Sequence, residues 1–142
     1  MYLDTSVLVA LVTNEPGAPS IKRWLAGADA VPLCSSDWCV PEVASALSIK
    51  VRTGQLEEAH CEAAWQAFGA ACDGLLDLLP VQAVDYATAA HMCRVPQAGL
   101  RAGDALHLAV ALRSGCDALL ALDHNLNMNA RASGLQLITI TP

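Results

Sequence analysis

Short apolar runs alternate along the chain with stretches in which apolar residues recur every three or four positions. The runs predict strands and the stretches predict helices. The stretch from Leu100 to Arg113 is apolar almost all round. Leu106, Ala109, Val110 and Arg113 fall at helical spacing, and Leu108, Ala111 and Leu112 cover most of the opposite face. Little of that surface suits water, so this helix is predicted to lie in the middle of the protein. Asp104 interrupts the pattern. A carboxylate in a first helical turn is explained either by the helix dipole and the free N–H groups there or by chemistry.

The other elements follow from the same periodicities. Tyr2-Leu3-Asp4-Thr5-Ser6 running into Val7 to Val12 predicts a very short strand leading straight into a helix, with Asp4 at the strand's carboxyl end and Thr5 and Ser6 suited to capping. Asn14-Glu15-Pro16-Gly17 is a turn, and Ala18 to Ala26 a second helix closed by Gly27. Ala30 to Ser35 reads as a strand. Trp38 to about Arg52 reads as a helix that tolerates Pro41 in its first turn, carries Glu42 beside it and ends at Gly54. Gln55 to Cys72 predicts a longer helix, Leu75 to Leu79 a strand with Asp77 at a sheet edge, and Val81 to Arg94 another helix. Ala118 to Leu122 is apolar throughout, as in a parallel sheet, and ends at Asp123. His124 to Ala132 predicts a short helix, and Leu135 to Ile140 the last strand. Strands alternating with helices define an α/β class, with helices on both faces of a mostly parallel sheet.

Composition narrows this picture. The chain has 142 residues, 54% of them hydrophobic, which is one domain's length with material for one core. The apolar runs are broken well short of a membrane span and no basic-then-apolar leader precedes the first strand, so a cytoplasmic protein is expected. The six cysteines are scattered without zinc spacing and read as reduced, buried residues. The formal net charge of -6 disfavours broad contact with a phosphate backbone. Any nucleic acid must be approached locally, through bound cations and a few placed basic residues.

Asp4 and Asp123 end two apolar strands, and Glu42 and Asp104 open two helices. If the strands are neighbours, the four acids face one crevice, where like charges repel by several kcal/mol at a protein-like dielectric, in the range of about 1–4 kcal/mol per close pair. A hard divalent cation resolves that repulsion. Oxygen ligands without His or Cys suit Mg²⁺ or Mn²⁺, and such sites serve phosphoryl chemistry.

Four segments, in order, resemble one family. These are Tyr2-Leu3-Asp4-Thr5-Ser6 with Asn14-Glu15-Pro16-Gly17, Pro41-Glu42-Val43-Ala44-Ser45-Ala46-Leu47, Leu100 to Ala109 including Gly103-Asp104-Ala105-Leu106-His107-Leu108-Ala109, and Leu119-Leu120-Ala121-Leu122-Asp123. Together they resemble the PIN-domain ribonucleases, in particular the VapC-like toxins of bacterial type II toxin-antitoxin pairs. The resemblance implies a single three-layer α/β/α PIN domain over residues 1–142 that cleaves RNA. It implies that Asp4, Glu42, Asp104 and Asp123 are catalytic, that Asp4, Asp104 and Asp123 hold Mg²⁺ or Mn²⁺, and that Ser6 supports them. Ala121 stands where similar proteins have Thr or Ser, so a hydroxyl that orients water beside the ion is missing, and Asn125 is the candidate substitute. Lys50, Arg52 and Arg101 are the candidate RNA contacts, and His107 is expected to pack behind the site.

The same resemblance implies a cognate antitoxin whose C-terminal segment fills an apolar groove and aims a basic side chain at the acids, with the toxin a homodimer or part of a hetero-oligomer. Val7, Leu8, Leu11, Trp24, Val51, Leu56, Trp65 and Phe68 are the apolar residues expected to form that groove. Two alternatives stand beside this reading. One is a PIN-like scaffold with a weakened site that only binds protein. The other is a phosphatase or phospho-acceptor domain with a strand-end Asp as nucleophile, against which Ser6 stands where a second Asp is expected.

Overall fold

A computed structural model describes residues 1–27, 31–138 and 140. Among them, five strands and seven α-helices alternate: β1 (Tyr2–Leu3), α1 (Thr5–Val12), α2 (Ala18–Gly27), β2 (Leu33–Ser36), α3 (Cys39–Arg52), α4 (Glu58–Gly74), β3 (Leu76–Leu79), α5 (Ala83–Cys93), α6 (Ala102–Arg113), β4 (Ala118–Leu120), α7 (His124–Ala132) and β5 (Gln136–Leu137), with a 3₁₀ turn at Pro96–Ala98 before α6. The strands form one sheet in the order β3-β2-β1-β4-β5, and every pairing is parallel. The period-2 alternation of strands then decides which layer each residue joins. Leu3 and Leu120 are paired and face one core with Val7, Val43, Leu47 and Phe68 from α1, α3 and α4. Tyr2 and Leu119, also paired, face the other with Leu108, Val110, Leu126 and Ala130 from α6 and α7. The result is the three-layer α/β/α arrangement. No helix among the described residues is long and apolar enough to cross a membrane.

The central helix is as buried as its pattern predicts, with every residue from Ala105 to Ala111 out of solvent. Each such leucine withdrawn from water is worth roughly 1.5–3 kcal/mol.

Several element ends differ from expectation, each for a local reason. The fourth sequence-predicted helix begins at Glu58 rather than Gln55, because the chain turns through Gly54 at φ +71°, a conformation without strain only for glycine. The helix α5 begins at Ala83 because Gln82 and Asp85 cap each other, the Gln82 N–H donating to Asp85 Oδ2 at 2.8 Å. Leu75, expected in a strand, lies past the end of α4 and is 77% exposed. The strand expected from Ala30 is Leu33–Ser36, Ala30 lying outside the described residues. The last strand shrinks to Gln136–Leu137, an edge that pairs only with β4, and Thr139 lies outside the described residues. Of the residues expected to form a surface groove, Val7, Leu8 and Phe68 are instead buried in the core against β1. The six cysteines are free thiols, but only Cys39 is buried as expected; Cys93 is exposed and the other four are half-buried.

Candidate active site

The sheet order carries the geometry of the site. The chain builds β1, β2 and β3 outward in one direction, then returns to place β4 on the other side of β1. The carboxyl ends of β1 and β4 therefore flank the point where the winding reverses, which is where open parallel sheets leave a crevice. Asp4 directly follows β1 and Asp123 follows β4, while α6 and α3 bring Asp104 and Glu42 from their first turns.

Asp4 is 5% exposed and caps α1. Its Oδ2 accepts from the Ser6 N–H at 2.9 Å and from Ser6 Oγ at 2.5 Å, and its backbone N–H donates to the Leu120 carbonyl at 2.9 Å. Ser6 Oγ in turn accepts from the Leu122 N–H at 3.0 Å, so this hydroxyl ties the end of β1 to the segment after β4. Asp123 is exposed and caps α7, its Oδ1 accepting from the Leu126 N–H at 2.8 Å.

Glu42 is held by a buried network centred on His107. Glu42 Oε2 lies 2.6 Å from His107 Nε2 and accepts from Thr5 Oγ1 at 2.5 Å. On the other side of the ring, Nδ1 lies 2.7 Å from the Tyr2 hydroxyl, which already accepts from the Ser36 N–H at 2.9 Å. The Tyr2 hydroxyl therefore spends its proton on Nδ1, and the ring donates Nε2–H to Glu42. Burial pushes the Tyr2 phenol above its ordinary range, which keeps it a donor. Burial also works to raise the Glu42 carboxyl, but hydrogen bonds from His107 and Thr5, attraction to His107 and the Trp38 indole outweigh it and hold Glu42 below the usual range.

Asp104 goes the other way. Burial raises its carboxyl, the Arg101 N–H at 3.4 Å opposes this weakly, and the negative charges of Asp123, Asp4 and Glu42 add to the rise. All four predicted acids thus act on one crevice. They are not, however, drawn to one point. Among the described residues no ready-made cluster of three or more acids, histidines or cysteines is formed. Each acid has its own partner: Asp4 is held by Ser6, Glu42 by Thr5 and His107, Asp104 by Arg101 and Asp123 by Leu126. The donor set still suits a hard divalent cation. It is all oxygen, it gathers four negative charges, and Asp4 Oδ1 makes no hydrogen bond among the described residues.

The remaining predicted residues are dispersed. Arg101 precedes α6 and is exposed beside Asp104. Lys50 is paired with Glu15 at 2.7 Å, and Arg52 lines a groove between α3 and α4. Asn125 lies against Gly99 and is exposed; the amide that reaches the Ala121 carbonyl belongs to Asn127, at 2.9 Å. Sequence reasoning missed Tyr2, Thr5 and Trp38. Only Thr5 carried a signal, its hydroxyl adjoining Asp4, and that signal was equally a helix cap.

Fold and crevice together define a parallel α/β domain with an acidic site at its topological switch point. The PIN domain family model matches residues 1–132, and the chain belongs to that family. Among solved structures it is similar in fold to the VapC20 toxin of Mycobacterium tuberculosis, described as cleaving the sarcin-ricin loop, at 19% identity and a TM-score of 0.72 over 96% of this chain and 97% of that one. No curated protein matches.

Proposed function

We propose that this chain is a metal-dependent endoribonuclease of the VapC-like toxin kind. The observation that carries the reading is the gathering of four acids at the carboxyl ends of β1 and β4, where half-buried Asp104 feels the charges of Asp123, Asp4 and Glu42. Such an arrangement is costly without a cation and useful with one. Asp4, Asp104 and Asp123 would hold Mg²⁺ or Mn²⁺. When bound, the ion supplies positive charge that acidifies a water and neutralises the scissile phosphate. Glu42, kept ionised by His107 and Thr5, accepts the proton of the attacking water. Ser6 keeps Asp4 oriented, and Arg101 offers a phosphate contact at the rim.

The resemblance to VapC-like toxins supports an RNA substrate, a cognate antitoxin that blocks the site, assembly as a homodimer or with that antitoxin, and action in the cytoplasm. Purified protein is expected to cleave structured RNA with Mg²⁺ or Mn²⁺ and to stop in chelator. Asp104→Asn is expected to lose activity about a hundredfold or more while remaining folded by circular dichroism. Cleavage indifferent to chelator, or full activity in Asp104→Asn, overturns the metal mechanism. Binding to the antitoxin without any cleavage favours a protein-binding scaffold.

A further inference from the structure

We propose that a pocket between α5 and the start of α6 takes one unstacked nucleobase of the RNA beside the bond that is cut, an inference that rests on the ribonuclease reading above. The pocket holds about 330 Å³, and its walls, which include Trp38, Tyr86, Ala90, Cys93 and Leu106, are almost wholly apolar. It shares two of its residues with the acidic site. Trp38 helps to hold the Glu42 carboxyl low, and Gly103 lies so close to it that an added Cβ would stand 2.6 Å from Glu42 Oε1 and 3.7 Å from Trp38 Nε1. A ligand in the pocket is therefore next to the proton acceptor.

The chemistry of the walls selects the occupant. Trp38 is 37% exposed and Tyr86 56% exposed, leaving two aromatic surfaces open. A flat, apolar-faced base stacks on such surfaces, and unpaired RNA bases are recognised in this way. The rim suits the attached phosphates. Arg94 and Arg101 adjoin the pocket residues Cys93 and Ala102, both are exposed, and neither forms an ion pair among the described residues. A second copy of the chain would bring the same two arginines against these, whereas the phosphates beside a bound base are attracted to them.

The test uses the full chain with Ala90→Phe, which fills the pocket from an exposed helical position, and Tyr86→Ala, which removes one wall; neither residue touches Glu42. Affinity for a fluorescein-labelled single-stranded RNA is read by anisotropy in an Asp104→Asn background, alongside cleavage of the same RNA without that background and the mass in solution. Each variant is expected to bind about tenfold more weakly, the scale of one lost stacked base, at unchanged mass. Unchanged affinity and cleavage in both variants overturns the subsite and leaves the ribonuclease reading intact. A change of mass with unchanged affinity overturns it in favour of a face between copies. An unaltered chain that neither binds nor cleaves RNA overturns the ribonuclease reading and the subsite together.

Discussion

Asp104 and His107 lie on one helix three positions apart, and they show what a residue's letter does and does not reveal. Asp104 was legible because a carboxylate in an apolar helix breaks a pattern. Its surroundings predict that its negative charge costs stability in the metal-free protein. Asp104→Asn is therefore expected to raise the metal-free stability, and with it the melting temperature, by about 1 kcal/mol or less of unfolding free energy because the group is half-buried and screened. Thermal melts in chelator check this, and a destabilised variant would favour the role of helix cap. His107 was legible as a histidine packed behind the site, but without its partners. Its partners Tyr2, Thr5, Ser36 and Glu42 come from β1, α1, β2 and α3, and no spacing along the chain announces such a meeting. His107→Ala would leave Glu42 and the Tyr2 hydroxyl without that partner in a site 1% exposed, at a cost of about 1–3 kcal/mol in stability.

At the scale of elements, order and type followed from periodicity, while the ends were set by contacts between elements. Helix α6 illustrates both. Its apolar pattern placed it, yet its two ends are fixed by side chains from elsewhere. At the start, Gly103 leaves room for Glu42 from α3. Alanine favours a helix over glycine by about 1 kcal/mol, so Gly103→Ala is expected to fold at least as well as the natural chain. Its Cβ would nevertheless displace the Glu42 carboxylate, and cleavage is expected to fall about tenfold or more; an unaffected rate would show that Glu42 has no fixed place in the reaction. At the end, Arg113 Nε donates to Asp85 Oδ1 at 2.7 Å and Nη2 to the Pro80 carbonyl at 2.9 Å, clamping α6 to α5. Burial works to raise Asp85, but the Arg113 hydrogen bond, the Gln82 N–H and the Arg113 charge outweigh it, so its carboxyl is held below the ordinary 3.8. The sign follows. Asp85 binds a proton less readily when folded, so its contribution is complete above 3.8 and is lost as pH falls below it. Melting temperatures measured into that acid range should fall more steeply for the natural chain than for Asp85→Asn.

Over the whole molecule, the charge of -6 and the apolar surface left between α3 and α4 bear on the proposed antitoxin. That surface is a groove of about 380 Å³ that opens on Leu47, Val51, Cys61 and Trp65, with Arg52, Glu58 and Glu62 at its rim. It keeps Val51 and Trp65 of the residues whose apolar character first suggested a groove, whereas Val7, Leu8 and Phe68 pack in the core. A peptide that anchors in this groove and sends a basic side chain to the acidic crevice binds through two separable parts. Trp65→Ala removes an aromatic anchor and is expected to weaken binding about tenfold at every metal concentration. The basic side chain instead competes with the cation for Asp4, Glu42, Asp104 and Asp123, so affinity should fall as Mg²⁺ or Mn²⁺ rises, and Asp104→Asn should blunt that dependence. Salt screens the second part more than the first. Titration of the chain with the antitoxin's C-terminal peptide, at rising metal and at fixed ionic strength, separates them. An affinity that ignores the metal and is unchanged by Asp104→Asn would mean that inhibition works through the groove alone and leaves the acids open.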